Sequence, residues 1–267
     1  MLSSDRSVRA HRETVGVPAR VYAVANQKGG VGKTTTAVNV GACLAEAGER
    51  VLLIDLDPQA NATSGLGMRA NGASTHDLLD GVPLSALAKP SGLSNLDVVM
   101  AKSDLAAAAV ELSARDGGER YLADALAGAL EPYSFVFFDC PPSFGPLTVN
   151  ALAAATRALV PVQAEYYALE GLSQLLGTIN LVKARLNPEL AVAGILLTMA
   201  DGRTRLAAEV EAELRRHFGD LVFTTIVPRS VRLAEAPSHG LPAIAYDRRS
   251  AGAQAYWKVA MELVERS

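Results

Sequence analysis

Residues 26–36 read N-Q-K-G-G-V-G-K-T-T-T, and residues of these types in this order suit one task, the holding of phosphate. Gly29, Gly30 and Gly32 let the backbone bend sharply and turn successive N–H groups toward one point. Lys33 adds a full positive charge, and Thr34 adds a hydroxyl able to ligate a metal. Val31 and Thr35 complete a backbone cradle that runs from Gly29 to Thr35. Carboxylates follow at two further places. Asp55 and Asp57 stand in D-L-D-P-Q after the apolar run Val51 to Ile54, and Asp139 closes the run Ser134 to Phe138. An aspartate at the end of an apolar strand orients the water shell of magnesium in the Walker B arrangement. The chemistry implied is the binding of a nucleoside triphosphate with its magnesium ion.

These side chains need elements to aim them. Val21 to Ala25 reads as a buried strand, and Ala37 to Ala47 is rich in helix formers, so the glycine stretch is a loop between strand and helix. The N-terminus of that helix adds its partial positive charge where the N–H groups converge. Further strands are predicted at Leu96 to Met100, Ala158 to Val162, Ala191 to Leu197 and Val222 to Ile226. Helices are predicted to start near Thr75 and Ser103, to run from Glu119 to about Leu130, Leu169 to Leu186 and Ala251 to Arg266, and, after the segment Asp201 to Arg205, to continue as a charged helix to Phe218. Alternation of this kind predicts an α/β fold, a doubly wound and mostly parallel sheet with strand-end carboxylates facing the ligand crevice. Asn61 to Gly65 is read as a loop placed to respond to the γ-phosphate. Residues 21–267 are read as one domain, and residues 1–20 as a basic tail holding Arg6, Arg9, His11, Arg12 and Arg20.

Composition narrows the classes. No uninterrupted apolar run in the 267 residues approaches membrane-spanning length, and the first twenty are polar, with no apolar core of a signal peptide. Cys43 and Cys140 form no metal or disulfide spacing, which predicts a cytoplasmic protein with reduced thiols. A net charge of −3 argues against DNA binding over the whole surface but leaves room for a local basic patch.

The loop departs from G-x-x-x-x-G-K-[ST], with Gln27 in the first glycine position and Lys28 at the start of the turn. The form K-G-G-x-G-K-T-T resembles the deviant Walker A loop of the ParA/MinD ATPases. The stretch D-L-D-P-Q-A-N-A-T-S-G-L-G is similar to that family's second motif, with Ala60 in place of its glycine, which predicts that residue 60 need not take a positive φ. Ile226 to Gly240 resembles the chromosomal, Soj-like signature V-P-R-N-V-R-x-x-E-A-P-S-H-G, and the likeness extends from about Arg20 to the C-terminus.

That resemblance implies a P-loop ATPase that forms an ATP-dependent homodimer, binds double-stranded DNA without sequence preference and answers to a ParB-like centromere-binding protein at the nucleoid. It implies nucleotide contacts from Lys28 through Thr35 and from Pro228, with Thr34, Asp55 and Asp139 serving magnesium. Lys33, Asp57 and a Lys28 reaching into the partner subunit would be catalytic. Arg203 and Arg232, with Arg205 and Arg229 beside them, match the DNA contacts. A MinD-like membrane switch is the alternative, and it would need a free amphipathic terminal helix. The last helix instead carries Tyr256, Val259, Ala260, Leu263 and Val264 on one stripe and a mixed polar face, which predicts packing on the sheet. A metabolic or reductase P-loop enzyme is a second alternative, and neither cysteine is placed to bridge a dimer through a cluster.

Overall fold

The computed structural model describes residues 18–165 and 168–266. In chain order the strands are β1 (Arg20–Val24), β2 (Val51–Asp55), β3 (Lys89–Pro90), β4 (Leu96–Val99), β5 (Phe135–Asp139), β6 (Arg157–Gln163) and β7 (Ala191–Thr198). The helices of the first half are α1 (Lys33–Glu46), α2 (Asn61–Gly65), α3 (Thr75–Leu79), α4 (Leu84–Leu87), α5 (Leu105–Ala114) and α6 (Tyr121–Leu126). Those of the second half are α7 (Pro146–Ala154), α8 (Ala168–Arg185), α9 (Arg205–Phe218), α10 (Val231–Glu235), α11 (Ala243–Tyr246) and α12 (Ala251–Glu265).

The strands form one seven-stranded sheet in the order β3-β4-β2-β5-β1-β6-β7. All pairings are parallel except the short antiparallel β3–β4 contact, as expected for strands joined by helical crossovers. Parallel strands covered on both faces read as continuous apolar runs, and β2 and β5 are buried at every position. The register matters for function. Val24 pairs with Asp139, and Asp139 pairs with Asp55, so three neighbouring strands end at one level.

Helices cover both faces. On one, α1 packs beneath α12, and Tyr22 stacks on Phe137 with ring centroids 5.3 Å apart. On the other, α5 to α8 close over Val136, Phe138 and Val160. The buried stripe of α12 is Tyr256, Val259, Ala260 and Leu263, and the Tyr256 hydroxyl lies 3.1 Å from Thr36 Oγ1 on α1. The terminal helix is therefore built into the core, as its stripe predicts. Val264 does not share the stripe; it is 36% exposed at the edge of the helix.

Several expectations need correction. Arg20 is no tail residue: it opens β1, its N–H donates to the Ser134 carbonyl, and its guanidinium lies 5.2 Å from the centre of the Phe135 ring. The remainder of the basic tail, through residue 17, lies outside the described residues. Residues 61–65 form helix α2 rather than a loop. Ala60 takes φ 53°, ψ 36°, so the left-handed turn persists without its glycine and carries the strain an L-residue meets there, about 1–2 kcal/mol.

Residues 222–226 are not a strand. They touch β7 through one isolated bridge, Val222 to Ile195, because the Thr224 and Thr225 N–H groups donate to the two Glu262 carboxylate oxygens at 2.7 and 2.9 Å. A ladder cannot continue through amides bonded elsewhere. The helix expected from Glu119 to Leu130 is only α6, ended by Gly128 at φ 69°.

Candidate nucleotide site and basic edge

The loop after β1 reaches α1 through Gly30 at φ 75° and Gly32 at φ 89°, conformations that a Cβ would strain. Gly32 is the N-cap of α1, and no side chain caps that helix. The orphan N–H groups of its first turn thus face the crevice with the helix dipole behind them, which makes an anion site. Thr198, at the end of β7, donates its hydroxyl to the Val31 carbonyl at 2.8 Å and pins the loop from outside. Nothing in the periodicity of the sequence singles out Thr198; it is a strand-end residue whose role emerges only from strand order.

Lys33 is buried and its ammonium donates to the Lys28 carbonyl at 3.0 Å, curled over the loop it would share with phosphate. Burial lowers its pKa, opposed chiefly by the charge of Asp139. Asp139 is fully buried, and both its carboxylate oxygens lack a hydrogen-bond partner among the described residues. Burial, then the charge of Asp55, holds it well above the usual carboxylate range; the Thr34 hydroxyl lies near enough to lower it without ordinary hydrogen-bond geometry.

Asp55 is committed differently. Its Oδ2 accepts from Thr63 N at 2.9 Å and Thr63 Oγ1 at 2.7 Å, and its Oδ1 accepts from the Asp57 N–H at 3.1 Å. Burial outweighs these bonds and pushes Asp55 up to about 6. Two buried carboxylates driven toward protonation, one with both oxygens unspent, fit the shell of a divalent cation, whose charge returns them to the anionic form. Asp57 is buried, and its Oδ1 accepts from the Gln59 N–H at 2.9 Å in a local turn. It faces the same charges, contributing to the fields at both Lys33 and Asp139.

Lys28 is exposed and pairs with Glu165, just beyond β6, while neighbouring Gln27 donates to the Gln174 side chain at 2.9 Å. Pro228 joins the same end of the sheet, bridged to Ala200 past β7. The four candidate arginines lie in the segments that follow β7 in the chain. Arg203 makes a two-pronged pair with Asp201, at 2.9 and 2.8 Å, and pulls that carboxyl down to about 2. Arg205 pairs with Glu209, and Arg232 with Glu235 at 2.7 Å and Asp247 at 3.5 Å. Arg229 has no ion pair among the described residues and lies close enough to help lower Asp201. The structure thus gathers Arg203 and Arg229 around one loop, with Arg232 on the adjoining α10.

A glycine-turned loop from a central parallel strand into a bare helix N-terminus, beside a buried strand-end aspartate, defines a P-loop nucleotide-binding fold. A family model described as an AAA domain matches residues 19–192. The chromosome-partitioning ATPase Soj of Thermus thermophilus is 55% identical over 247 residues, covering 92% of this chain and 96% of that protein. The sporulation initiation inhibitor protein Soj of Bacillus subtilis is 50% identical, covering 91% and 98% respectively. The crystal structure of cobyrinic acid a,c-diamide synthase from Mycobacterium smegmatis with bound ADP and magnesium superposes with TM-score 0.81 at 38% identity, covering 93% of this chain and 95% of that one. The chain belongs to the ParA/Soj family of chromosome-partitioning ATPases.

Proposed function

We propose that this chain is an ATP-driven DNA-partitioning switch that dimerises on ATP, binds DNA without sequence preference and hydrolyses ATP under the stimulus of a ParB-like protein. The observation that carries this reading is the 55% identity to a partitioning ATPase along 92% of the chain. At 38% identity the synthase is the more distant relative, so its reaction is not preferred.

Lys33 and the N–H groups from Gly29 to Thr35 hold the phosphates. Thr34 would ligate magnesium, with Asp139 and Asp55 in its outer shell. Held by these residues, magnesium would supply positive charge against the negative charge that develops on the transferring phosphoryl group. Asp57 orients the attacking water. Lys28 leaves Glu165 and reaches the nucleotide of the partner subunit, so that a complete site needs two copies. Nothing here requires covalent chemistry from the protein; positioning and charge stabilisation suffice, and a slow basal rate leaves room for stimulation.

Gly29→Val is expected to bind ATP yet stay monomeric. A Cβ at Gly29 meets Pro142 at 3.9 Å, an ordinary van der Waals distance, so the added Cβ fits within the subunit. The valine branch would project where the second subunit must approach beside Lys28. Light scattering with ATP checks this, and a normal dimer rules the packing argument out.

Arg203→Ala with Arg232→Ala is expected to weaken DNA binding for unrelated duplexes alike while dimerisation stays normal. Side chains that neutralise phosphate release counterions and carry no base information, so the salt slope should shrink by about 0.9 for each phosphate left unneutralised. Dimerisation doubles a modest patch into linked sites, which makes binding ATP-dependent despite the net charge of −3. Anisotropy across a salt series tests it; unchanged affinity and slope would place the DNA face elsewhere. The reading as a whole is tested by ATPase rates with DNA and a basic ParB-type N-terminal peptide, alone and together. Stimulation greatest with both is expected, and indifference to both rejects the partitioning role.

A further inference from the structure

Between the nucleotide site and the basic edge the structure holds a contact made of backbone alone. Gly67, just past α2, and Gly240, just past the 3-10 turn Ala236–His239, sit at φ 70° and φ 68°. A Cβ on Gly240 would lie 2.7 Å from the Gly67 Cα, and one on Gly67 would lie 3.4 Å from the Gly240 Cα and carbonyl oxygen. Two residues earlier a Cβ on Gly65 would meet Pro237 at 3.6 Å. At Gly67 and Gly240 the approach is backbone on backbone, so displacement on one side is passed to the other.

Each side has a defined attachment. On the nucleotide side, α2 is tied to Asp55 by the two Thr63 hydrogen bonds and joined to Asp57 through strained Ala60. On the other, the turn Ala236–His239 continues directly from α10, which carries Arg232, and Ser238 Oγ donates to the Glu235 carbonyl at 2.7 Å. Helix α10 has no buried residue of its own. Half-buried Leu233 against Gly252 of α12 and the Arg232–Asp247 pair are its own holds, so its position depends on its neighbours as well.

We infer that the Gly67–Gly240 contact positions α10, and with it Arg232, according to the state of the nucleotide sensed at Asp55 and Asp57. Gly67 and Gly240 are positioning residues: they touch neither nucleotide nor DNA and act by moving the helix that does. The DNA consequence rests on the DNA-binding reading above, whereas the coupling between the two segments does not.

Hydrogen–deuterium exchange on the full chain, with ADP or a non-hydrolysable ATP analogue and magnesium, tests the coupling without DNA. In the wild type the exchange of residues 231–240 should differ between the two nucleotides. Gly240→Ala and Gly67→Ala should abolish that difference while keeping the nucleotide response of residues 28–36. Gly67→Ala, whose Cβ clears its neighbour by more, carries the test should Gly240→Ala fail to fold. Gly128→Ala is the control, with φ 69° and nothing within 4 Å: it adds the same backbone strain without the contact and should behave as wild type. In anisotropy the ratio of DNA affinities with ATP and ADP should fall about tenfold in the two seam variants. The inference is overturned if residues 231–240 ignore the nucleotide in the wild type, if the response survives in both seam variants, or if Gly128→Ala loses it equally. Loss of the exchange response with unaltered DNA affinity supports the coupling and rejects Arg232 as a DNA residue.

Discussion

Replacing Lys33 by alanine is expected to abolish useful ATP binding, raising the dissociation constant more than about a hundredfold. The ammonium is buried, donates to the Lys28 carbonyl and stands in the field of Asp139 and Asp57. Without it the triphosphate would enter a site in which two buried acids already resist ionisation. Removing one partner of such a buried charge pair costs roughly 3–5 kcal/mol, and about 1.4 kcal/mol is a tenfold change. Backbone N–H groups at the start of α1 cannot replace a full charge. Calorimetric titration with ATP and magnesium is the measurement, and near-wild-type affinity would remove Lys33 from the site.

Asp57→Ala is expected to bind ATP and dimerise while hydrolysis falls by about 10²–10⁴, the span typical for loss of a positioned acid–base group. The alanine also deletes the cap that Asp57 Oδ1 gives to the Gln59 N–H, so a second variant is needed. Asp57→Asn retains an oxygen for that cap but lacks the carboxylate. Both variants should trap the dimer. Should the asparagine variant hydrolyse at the wild-type rate, the residue shapes the loop and another group orients the water.

The parts of this molecule that chemistry dictates locally were legible in the sequence. Gly30 and Gly32 demanded a turn, the apolar runs around them demanded buried strands, and β1, β2 and β5 lie within a residue of their expected ends. The placement of Asp55 beside Asp139 could be anticipated from strand ends, but only the register shows them paired. What escaped depends on distant partners. Residues 222–226 have the composition of a strand, and Glu262, on the far helix α12, takes the amides of Thr224 and Thr225. Thr63 sits in a motif whose role as the clasp of Asp55 is invisible until α2 folds back. Ala60 misled because a missing glycine was read as a missing left-handed turn, whereas the surrounding hydrogen bonds impose the turn on alanine. Helices α4 and α11 are single turns, too short to leave a period.

The forked hold of Glu262 on Thr224 and Thr225 has a consequence for how such molecules crowd. A sheet ends in two rows of unpaired backbone groups, each an invitation for a stranger's strand. Beyond β7 the chain runs alongside as far as Pro228 but surrenders two amides to a carboxylate, which leaves no continuous ladder to extend. At the opposite margin β3 is two residues long, a lysine and a proline, both exposed. One repels by charge and the other lacks the hydrogen to give. Crowded copies therefore find no open ladder at either margin of the described sheet, and edge-to-edge fusion is blocked on both sides.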